Sequence, residues 1–125
     1  MISRDLKILI ADDSILARKQ LKDVLLTAGY NDFIEAKDGK EAINFYKQDK
    51  ADIVFLDIVM PQVDGIEAVK QIRAYDENAN IVMVSSVGTQ GQIRSAIEAG
   101  AKDFIQKPFV SNQILTVLNN IMKGN

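Results

Sequence analysis

The sequence predicts an α/β fold in which helices cover both faces of a parallel β-sheet. Five apolar, strand-like runs alternate with five helix-like patterns along the 125 residues, which is the order that successive β–α units produce. Three of these runs are almost continuously apolar, as strands covered on both faces must be. Because no repeat, low-complexity segment or linker interrupts the alternation, we expect one domain over residues 1–125.

The predicted strands differ in polarity, and this difference indicates their places in the sheet. The five runs are residues 6–12, 32–36, 52–57, 80–85 and 103–106. The first, third and fourth are the apolar ones, and strands of this kind are covered on both faces. The second and fifth are shorter and more polar, which is typical of edge strands. Since crossovers between parallel strands are right-handed, few topologies remain.

The predicted helices carry apolar residues three or four positions apart. These stripes are Ala17, Leu21, Val24, Leu25 and Ala28 in the first helix, Ile66, Val69 and Ile72 in the third, Ile93, Ala96 and Ile97 in the fourth, and Ile114, Leu118 and Ile121 in the fifth. Gly29 and Gly100 are expected to end the first and fourth helices. Asp38, Asp64 and Thr89 are each followed three residues later by Glu or Gln, which predicts helix starts at these positions.

Composition excludes several classes of function. The chain contains no cysteine and no histidine, which rules out disulfides, thiolate or Ser-His-Asp catalysis, His-ligated metals and a phosphohistidine on this molecule. A formal net charge of −2 offers no basic surface for nucleic acid or for an anionic membrane. No apolar stretch is long enough to cross a bilayer and no signal-peptide core is present, so we expect a cytoplasmic protein.

Polar side chains end or follow four of the predicted strands. They are Asp12 and Asp13, Asp57, Ser85 and Ser86, and Lys107. Parallel strands direct their carboxyl ends to one edge of the sheet, where open α/β folds place their chemistry. Three carboxylates in one small volume are unfavourable unless a cation or a reaction requires them. Carboxylate oxygens are preferred ligands of Mg²⁺, which retains several bound waters and is coordinated by only one or two carboxylates.

This set of residues suits the transfer of a phosphoryl group, for which aspartate is a known covalent acceptor. A glycine-rich phosphate site fits badly, because the loop after the first strand is Asp12-Asp13-Ser14 and would repel a bare phosphate. Taken singly, some residues have simpler explanations. Asp12 or Asp13 could cap the helix that begins near Ser14. Ser86 could merely end its strand, and Asp64 is interpreted as a cap without a catalytic role.

Several motifs together resemble the signature of receiver domains of two-component response regulators. They are Asp12-Asp13, Asp57-x-x-Met60-Pro61-x-x-Asp64-Gly65, Ser85 and Lys107-Pro108-Phe109. The similarity extends from Leu6 to Met122. Within the family, the chain most resembles the stand-alone chemotaxis regulators, on residues 84–88 and 99–105. The resemblance implies a flavodoxin-like sheet with strand order 2-1-3-4-5 and a monomeric protein.

The resemblance also implies a role for each site residue. Asp57 would accept a phosphoryl group from the phosphohistidine of a partner histidine kinase. Asp13, Asp57 and the backbone carbonyl of Val59 would bind Mg²⁺ directly, whereas Asp12 would act mainly through ordered water. Lys107 would pair with a phosphoryl oxygen. The protein would be a signalling switch and not a turnover enzyme.

A change of shape would follow phosphorylation in a protein of this family. Ser85 would donate a hydrogen bond to the phosphorylated Asp57, and Phe104, which alone would be interpreted as core, would rotate into the vacated space. The surface of the fourth helix, fifth strand and fifth helix (residues 111–122) would then bind a downstream target, expected to be a flagellar motor switch protein. The peptide bond before Pro108 would be cis.

Departures from the common family pattern limit what carries over. Ser85 replaces the more usual threonine, and Phe104 replaces a frequent tyrosine. Val59 and Val87 are apolar where relatives often carry polar residues, beside the path of the hydrolytic water, so we expect slow self-dephosphorylation and a separate phosphatase. The alternatives are a phosphorelay receiver, a piece of a larger transcriptional regulator, and an aspartate-nucleophile phosphatase. An aspartate-nucleophile phosphatase would require an Asp-x-Asp arrangement after the first strand, which this chain lacks.

Overall fold

A computed structural model describes residues 5–86 and 89–123, in which strands and helices alternate. The strands are β1 (Lys7–Ala11), β2 (Asp32–Ala36), β3 (Ile53–Leu56), β4 (Ile81–Ser85) and β5 (Asp103–Gln106). The helices are α1 (Ile15–Thr27), α2 (Gly39–Gln48), α3 (Gly65–Tyr75), α4 (Gln90–Ala99) and α5 (Ser111–Lys123). The predicted alternation is confirmed, and each strand ends within one residue of its predicted bounds.

The strands form one parallel sheet in the order β2-β1-β3-β4-β5. The predicted order is therefore confirmed, with the apolar strands β1, β3 and β4 inside and the polar strands β2 and β5 at the edges. The direction of strand succession reverses between β1 and β3. In a doubly wound sheet, this reversal opens a crevice at the carboxyl ends of the two strands.

Apolar side chains form a separate core on each face of the sheet. One core lies against α2, α3 and α4, and the other lies against α1 and α5. Adjacent residues of β3 point to opposite cores, with Val54 in the first and Phe55 in the second, as the two-residue period of a strand requires. Within residues 5–86 and 89–123, no helix has the length and apolar character of a membrane span.

The helix ends follow the signals in the sequence. Asp38, Asp64 and Thr89 each accept a hydrogen bond from the backbone N–H three residues further on, at the starts of α2, α3 and α4. Gly29 and Gly100 follow α1 and α4 with φ values of 100° and 123°. Glycine adopts this conformation without the steric cost that a Cβ would add. Both stop signals and the three caps are thus confirmed.

Candidate functional site

The strand ends bring most of the predicted site residues together. Asp12 follows β1 and Asp57 follows β3, and the N–H of Asp57 donates to the carbonyl of Ala11 at 3.0 Å. Ser85 ends β4 and Lys107 follows β5, and the N–H of Lys107 donates to the carbonyl of Ser85 at 2.9 Å. These backbone hydrogen bonds extend the sheet past the ends of the strands, so the four side chains lie along one edge.

Three carboxylates form the acidic part of the site. One oxygen from each of Asp12, Asp13 and Asp57 lies within 4.8 Å of the other two, with Asp13 exposed and the other two buried. Burial raises the pKa of Asp12 and the charge of Asp57 adds to the rise, although the bond from Lys107 opposes both. Such a set of close oxygens fits a hard divalent cation, because carboxylate oxygens are its preferred ligands.

The ammonium of Lys107 bridges two of the carboxylates. Its Nζ donates to Asp12 Oδ2 at 2.5 Å and to Asp57 Oδ2 at 3.2 Å. Burial alone would lower the pKa of Lys107, but the hydrogen bond to Asp12 and the charges of both carboxylates raise it overall. The side chain is therefore a fixed positive charge between Asp12 and Asp57, which are two members of the cluster of three carboxylates.

The other carboxylate oxygen of Asp57, Oδ1, accepts hydrogen bonds from Ser85 and Val59. Ser85 is fully buried and its hydroxyl donates to Asp57 Oδ1 at 2.5 Å. The N–H of Val59 donates to the same oxygen at 3.3 Å, while the Val59 side chain is 55% exposed. A hydroxyl and an ammonium thus bind opposite oxygens of one carboxylate, and this fixes its orientation toward the acidic cluster.

Phe104 lies apart from these polar groups. It is opposite Met83 in the pairing of β4 with β5, two residues before the Gln106 that pairs with Ser85. Its ring is partly buried and packs against the core on the α2–α4 face. The switch role of Phe104 stays a prediction, and Val87 lies outside the described residues. The peptide bond before Pro108 is cis, as predicted.

Arg18 was not predicted from the sequence as part of the site. Its guanidinium donates to the backbone carbonyl of Asp12 at 2.6 Å and to Glu35 of β2 at 3.1 Å. Ser14 caps α1 by accepting from the N–H of Ala17, and Asp12 Oδ1 accepts from the N–H of Ser14 at 2.9 Å. Arg18 therefore anchors the loop after β1. The residue that caps α1 is Ser14, and neither Asp12 nor Asp13 has this role.

Comparison with known proteins identifies the family. Residues 8–119 match the response regulator receiver domain. The chain belongs to this family. The chemotaxis protein CheY of Thermotoga maritima is 45% identical, over 94% of this chain and 98% of the relative. CheY of Bacillus subtilis is 42% identical, over 93% of this chain and 97% of the relative.

A solved structure agrees with these relatives. A chain in the crystal structure of the CheX–CheY–BeF₃–Mg²⁺ complex from Borrelia burgdorferi has a TM-score of 0.88 and 36% identity, covering 93% of this receiver and 88% of that chain. The receiver is therefore closely related to CheY response regulators and is a phosphoacceptor signalling switch. These matches do not favour a phosphatase, a phosphorelay receiver or a piece of a transcriptional regulator.

Proposed function

We propose that Asp57 takes a phosphoryl group from the phosphohistidine of a partner histidine kinase, in a Mg²⁺-dependent reaction that controls a chemotaxis output. One observation carries this proposal. The buried carboxylate of Asp57 lies between Ser85 and Lys107, beside two further carboxylates. Because the chain contains no histidine, the phosphohistidine belongs to another molecule. We propose that the receiver domain spans residues 1–125 and works in the cytoplasm as a monomer.

The cation would be held by Asp12, Asp13 and Asp57, with the backbone carbonyl of Val59 as a further ligand. The mutual distance of the three carboxylate oxygens supports this assignment, as does the Mg²⁺ in the Borrelia complex. Bound Mg²⁺ would offset the carboxylate repulsion and stabilise negative charge on the phosphoryl oxygens. Asp13 is the exposed member of the set, and we propose that it binds the ion directly while Asp12 acts mainly through water.

The chain's own residues would then carry the transfer. An oxygen of Asp57 attacks phosphorus, the bond from phosphorus to the donor's imidazole nitrogen breaks, and that nitrogen keeps the electron pair. The ammonium of Lys107 moves from the carboxylates to a phosphoryl oxygen. The hydroxyl of Ser85 exchanges its bond to Asp57 Oδ1 for one to the phosphoryl group, which draws the end of β4 toward the site. Phe104 on the adjacent strand rotates into the space that this movement opens.

Exposed apolar side chains beside the site support docking of a protein donor. Ile15 and Leu16 at the start of α1, Val59 after β3 and Val110 after β5 are each more than half exposed, at 75%, 64%, 55% and 63%. All four follow strand ends at the edge that carries Asp57. An exposed apolar surface next to a reactive group is typical of a partner interface. We propose that it receives the kinase segment that presents the phosphohistidine.

The output surface is proposed to consist of α4, β5 and α5. Of the ten α4 residues, all of which the structure describes, Ala96 alone is buried, and Ile97 is 44% exposed. Phe104 of β5 lines a groove with Asn112 and Thr116 of α5. A weakly anchored helix next to the switch residue suits a surface that changes with phosphorylation. The proposed target is a flagellar motor switch protein, and a separate phosphatase would end the signal.

Intact-mass measurement tests the reaction. Incubation with acetyl phosphate and Mg²⁺ should add one phosphoryl group, and chelation of Mg²⁺ or the Asp57→Asn variant should abolish the addition. Hydrolysis of many donor molecules without retained mass would instead indicate a phosphatase. A pull-down that compares the unmodified protein with the beryllofluoride-loaded protein tests the output. Capture of a flagellar switch component only by the loaded form would support chemotaxis, whereas capture of a phosphorelay protein would contradict it.

A further inference from the structure

The loop between β3 and α3 (residues 57–64, here the β3–α3 loop) is closed at its base by Gly65. The N–H of Gly65 donates to the carbonyl of Ile58 at 2.7 Å. A Cβ on Gly65 would lie 2.0 Å from the carbonyl oxygen of Asp57, which is far inside van der Waals contact. The first residue of α3 therefore packs directly on the backbone of the phosphoacceptor, and only glycine permits this approach.

A second glycine, from another helix, contacts the middle of the same loop. A Cβ on Gly39, the first residue of α2, would lie 2.0 Å from the carbonyl oxygen of Val63 and 2.8 Å from its carbonyl carbon. Because both obstacles are backbone atoms, no change of rotamer could make room. Gly39 has no side chain that could touch a phosphoryl group or a cation, yet it fixes how closely α2 approaches the β3–α3 loop.

We infer that Gly39 is a positioning residue for the cation site, acting through Val63 on the peptide of Val59. This inference rests on the proposed function, in which the carbonyl of Val59 is a ligand. The packing indicates whether helix α2 or the β3–α3 loop would move if a Cβ were added at Gly39. Helix α2 is held in the core by Ala42, Ile43 and Tyr46, all buried. Because these contacts resist a shift of the helix, the loop takes up the displacement.

Within the loop, the displacement falls on the residues nearest the cation site. Ile58 is only 4% exposed and is bound to Gly65, so the base of the loop is fixed. In the stretch from Val59 to Val63, Met60 is also buried, at 7% exposure, and Val63 packs against the same core. Val59 is 55% exposed, so the displacement falls on its peptide. Gln62 in this stretch has φ of 65°, a left-handed conformation that is unfavourable for a residue with a Cβ and persists where surrounding structure enforces it. Gln62 directly precedes Val63, whose backbone packs on Gly39.

A pair of glycine variants tests the inference. Gly91, the second residue of α4, has nothing within 4 Å of a Cβ placed on it. Gly39→Ala and Gly91→Ala both put a better helix former in the first turn of a helix. Of the two variants, Gly39→Ala is the one that adds a Cβ against the β3–α3 loop. Isothermal titration calorimetry should show Mg²⁺ binding weakened on the order of 10-fold in Gly39→Ala and unchanged in Gly91→Ala. Equal affinity of wild type and folded Gly39→Ala would overturn the inference.

A measurement on the wild-type protein covers the case in which Gly39→Ala does not fold. In an NMR titration with MgCl₂, the amide resonances of Val59 and Gly39 should shift together, while that of Gly91 stays in place. A Gly39 amide resonance that shifts no more than that of Gly91 would contradict the inference. Failure of the wild type itself to bind Mg²⁺ would refute the proposed function as well. Normal wild-type binding with an unaffected Gly39→Ala would refute the role of Gly39 alone.

Discussion

Each end of the sheet has an aspartate that contacts both a hydroxyl and a lysine. At the carboxyl ends of the strands, Asp57 contacts a serine hydroxyl and a lysine ammonium. At the opposite end, before β4 begins, Asp76 accepts a hydrogen bond from Tyr46 at 2.7 Å and pairs with Lys50 at 3.0 Å. Each aspartate also accepts from the backbone N–H two residues further on. The immediate partners of the two carboxylates are therefore of the same kinds.

The two ends differ in the balance of charge. The hydrogen bond from Tyr46, together with the nearby ammonium, lowers the pKa of Asp76. In contrast, Asp57 shares its lysine with Asp12 and has Asp13 close by, and burial raises the pKa of Asp12. We propose that the hydroxyl and lysine partners serve chemistry at the end that carries Asp57 and structure at the end that carries Asp76. The surplus of negative charge, which calls for a cation, distinguishes the functional end.

Removal of each lysine should give the largest contrast between the two ends. Lys107→Met should slow phosphorylation of Asp57 by acetyl phosphate about 100-fold, since loss of one preorganised donor to a developing charge has an effect of that order. Lys50→Met is the matched change at the other end and should leave the rate as in wild type. The rates can be followed by intact mass at successive times. Similar phosphorylation rates in Lys107→Met and Lys50→Met would contradict the proposed difference between the two ends of the sheet.

Removal of a carboxylate charge should give the next largest contrast. Asp13→Asn should weaken Mg²⁺ binding about 10-fold, because a neutral amide is a poorer ligand than a carboxylate. Calorimetric titration of Asp76→Asn should give the wild-type affinity. Without Mg²⁺, Asp13→Asn should also unfold at a higher temperature than wild type, since it relieves repulsion among three acidic groups. A melting temperature lowered by Asp13→Asn would contradict the charge surplus at this end.

Much of the fold and the site could be predicted because both depend on local patterns. The apolar runs of β1, β3 and β4 indicate central strands whatever packs on them. The caps Asp38, Asp64 and Thr89 act within their own first turn. The acidic cluster was also accessible, because parallel strands bring their carboxyl ends to one edge however the helices pack. Asp12 and Asp57 could therefore be placed together from their positions after two apolar runs.

The features that could not be predicted depend on contacts between distant elements. Arg18 reaches Glu35 because β2 pairs with β1 in one particular register. Tyr46 and Asp76 meet because the ends of α2 and α3 lie side by side. Gly39 was expected near a helix start, but its contact with the Val63 backbone arises from the packing of α2 on a loop. No spacing rule relates these pairs, since each needs a three-dimensional arrangement of elements.

The hydroxyl at the structural end should contribute a smaller amount, to stability alone. Tyr46→Phe keeps the buried ring and removes the bond to Asp76, so the free energy of unfolding in urea should fall by about 1 kcal/mol. Tyr75→Phe is the control, because Tyr75 is 55% exposed and its hydroxyl donates only a 3.4 Å bond to the Lys47 carbonyl. Equal stabilities of the two variants would show that the Tyr46–Asp76 bond adds nothing measurable.

The pH dependence of that stability difference is the smallest expected effect. The pKa of Asp76 is lower in the folded protein than its ordinary value, so the ionised carboxylate stabilises the fold. This stabilisation is complete above the unfolded carboxyl pKa of about 3.9 and is lost as the pH falls through the folded pKa. Urea unfolding of wild type and Tyr46→Phe at neutral and successively lower pH should therefore show a gap that narrows with acid. A gap that stays constant or widens would mean that Tyr46 stabilises the fold without binding ionised Asp76.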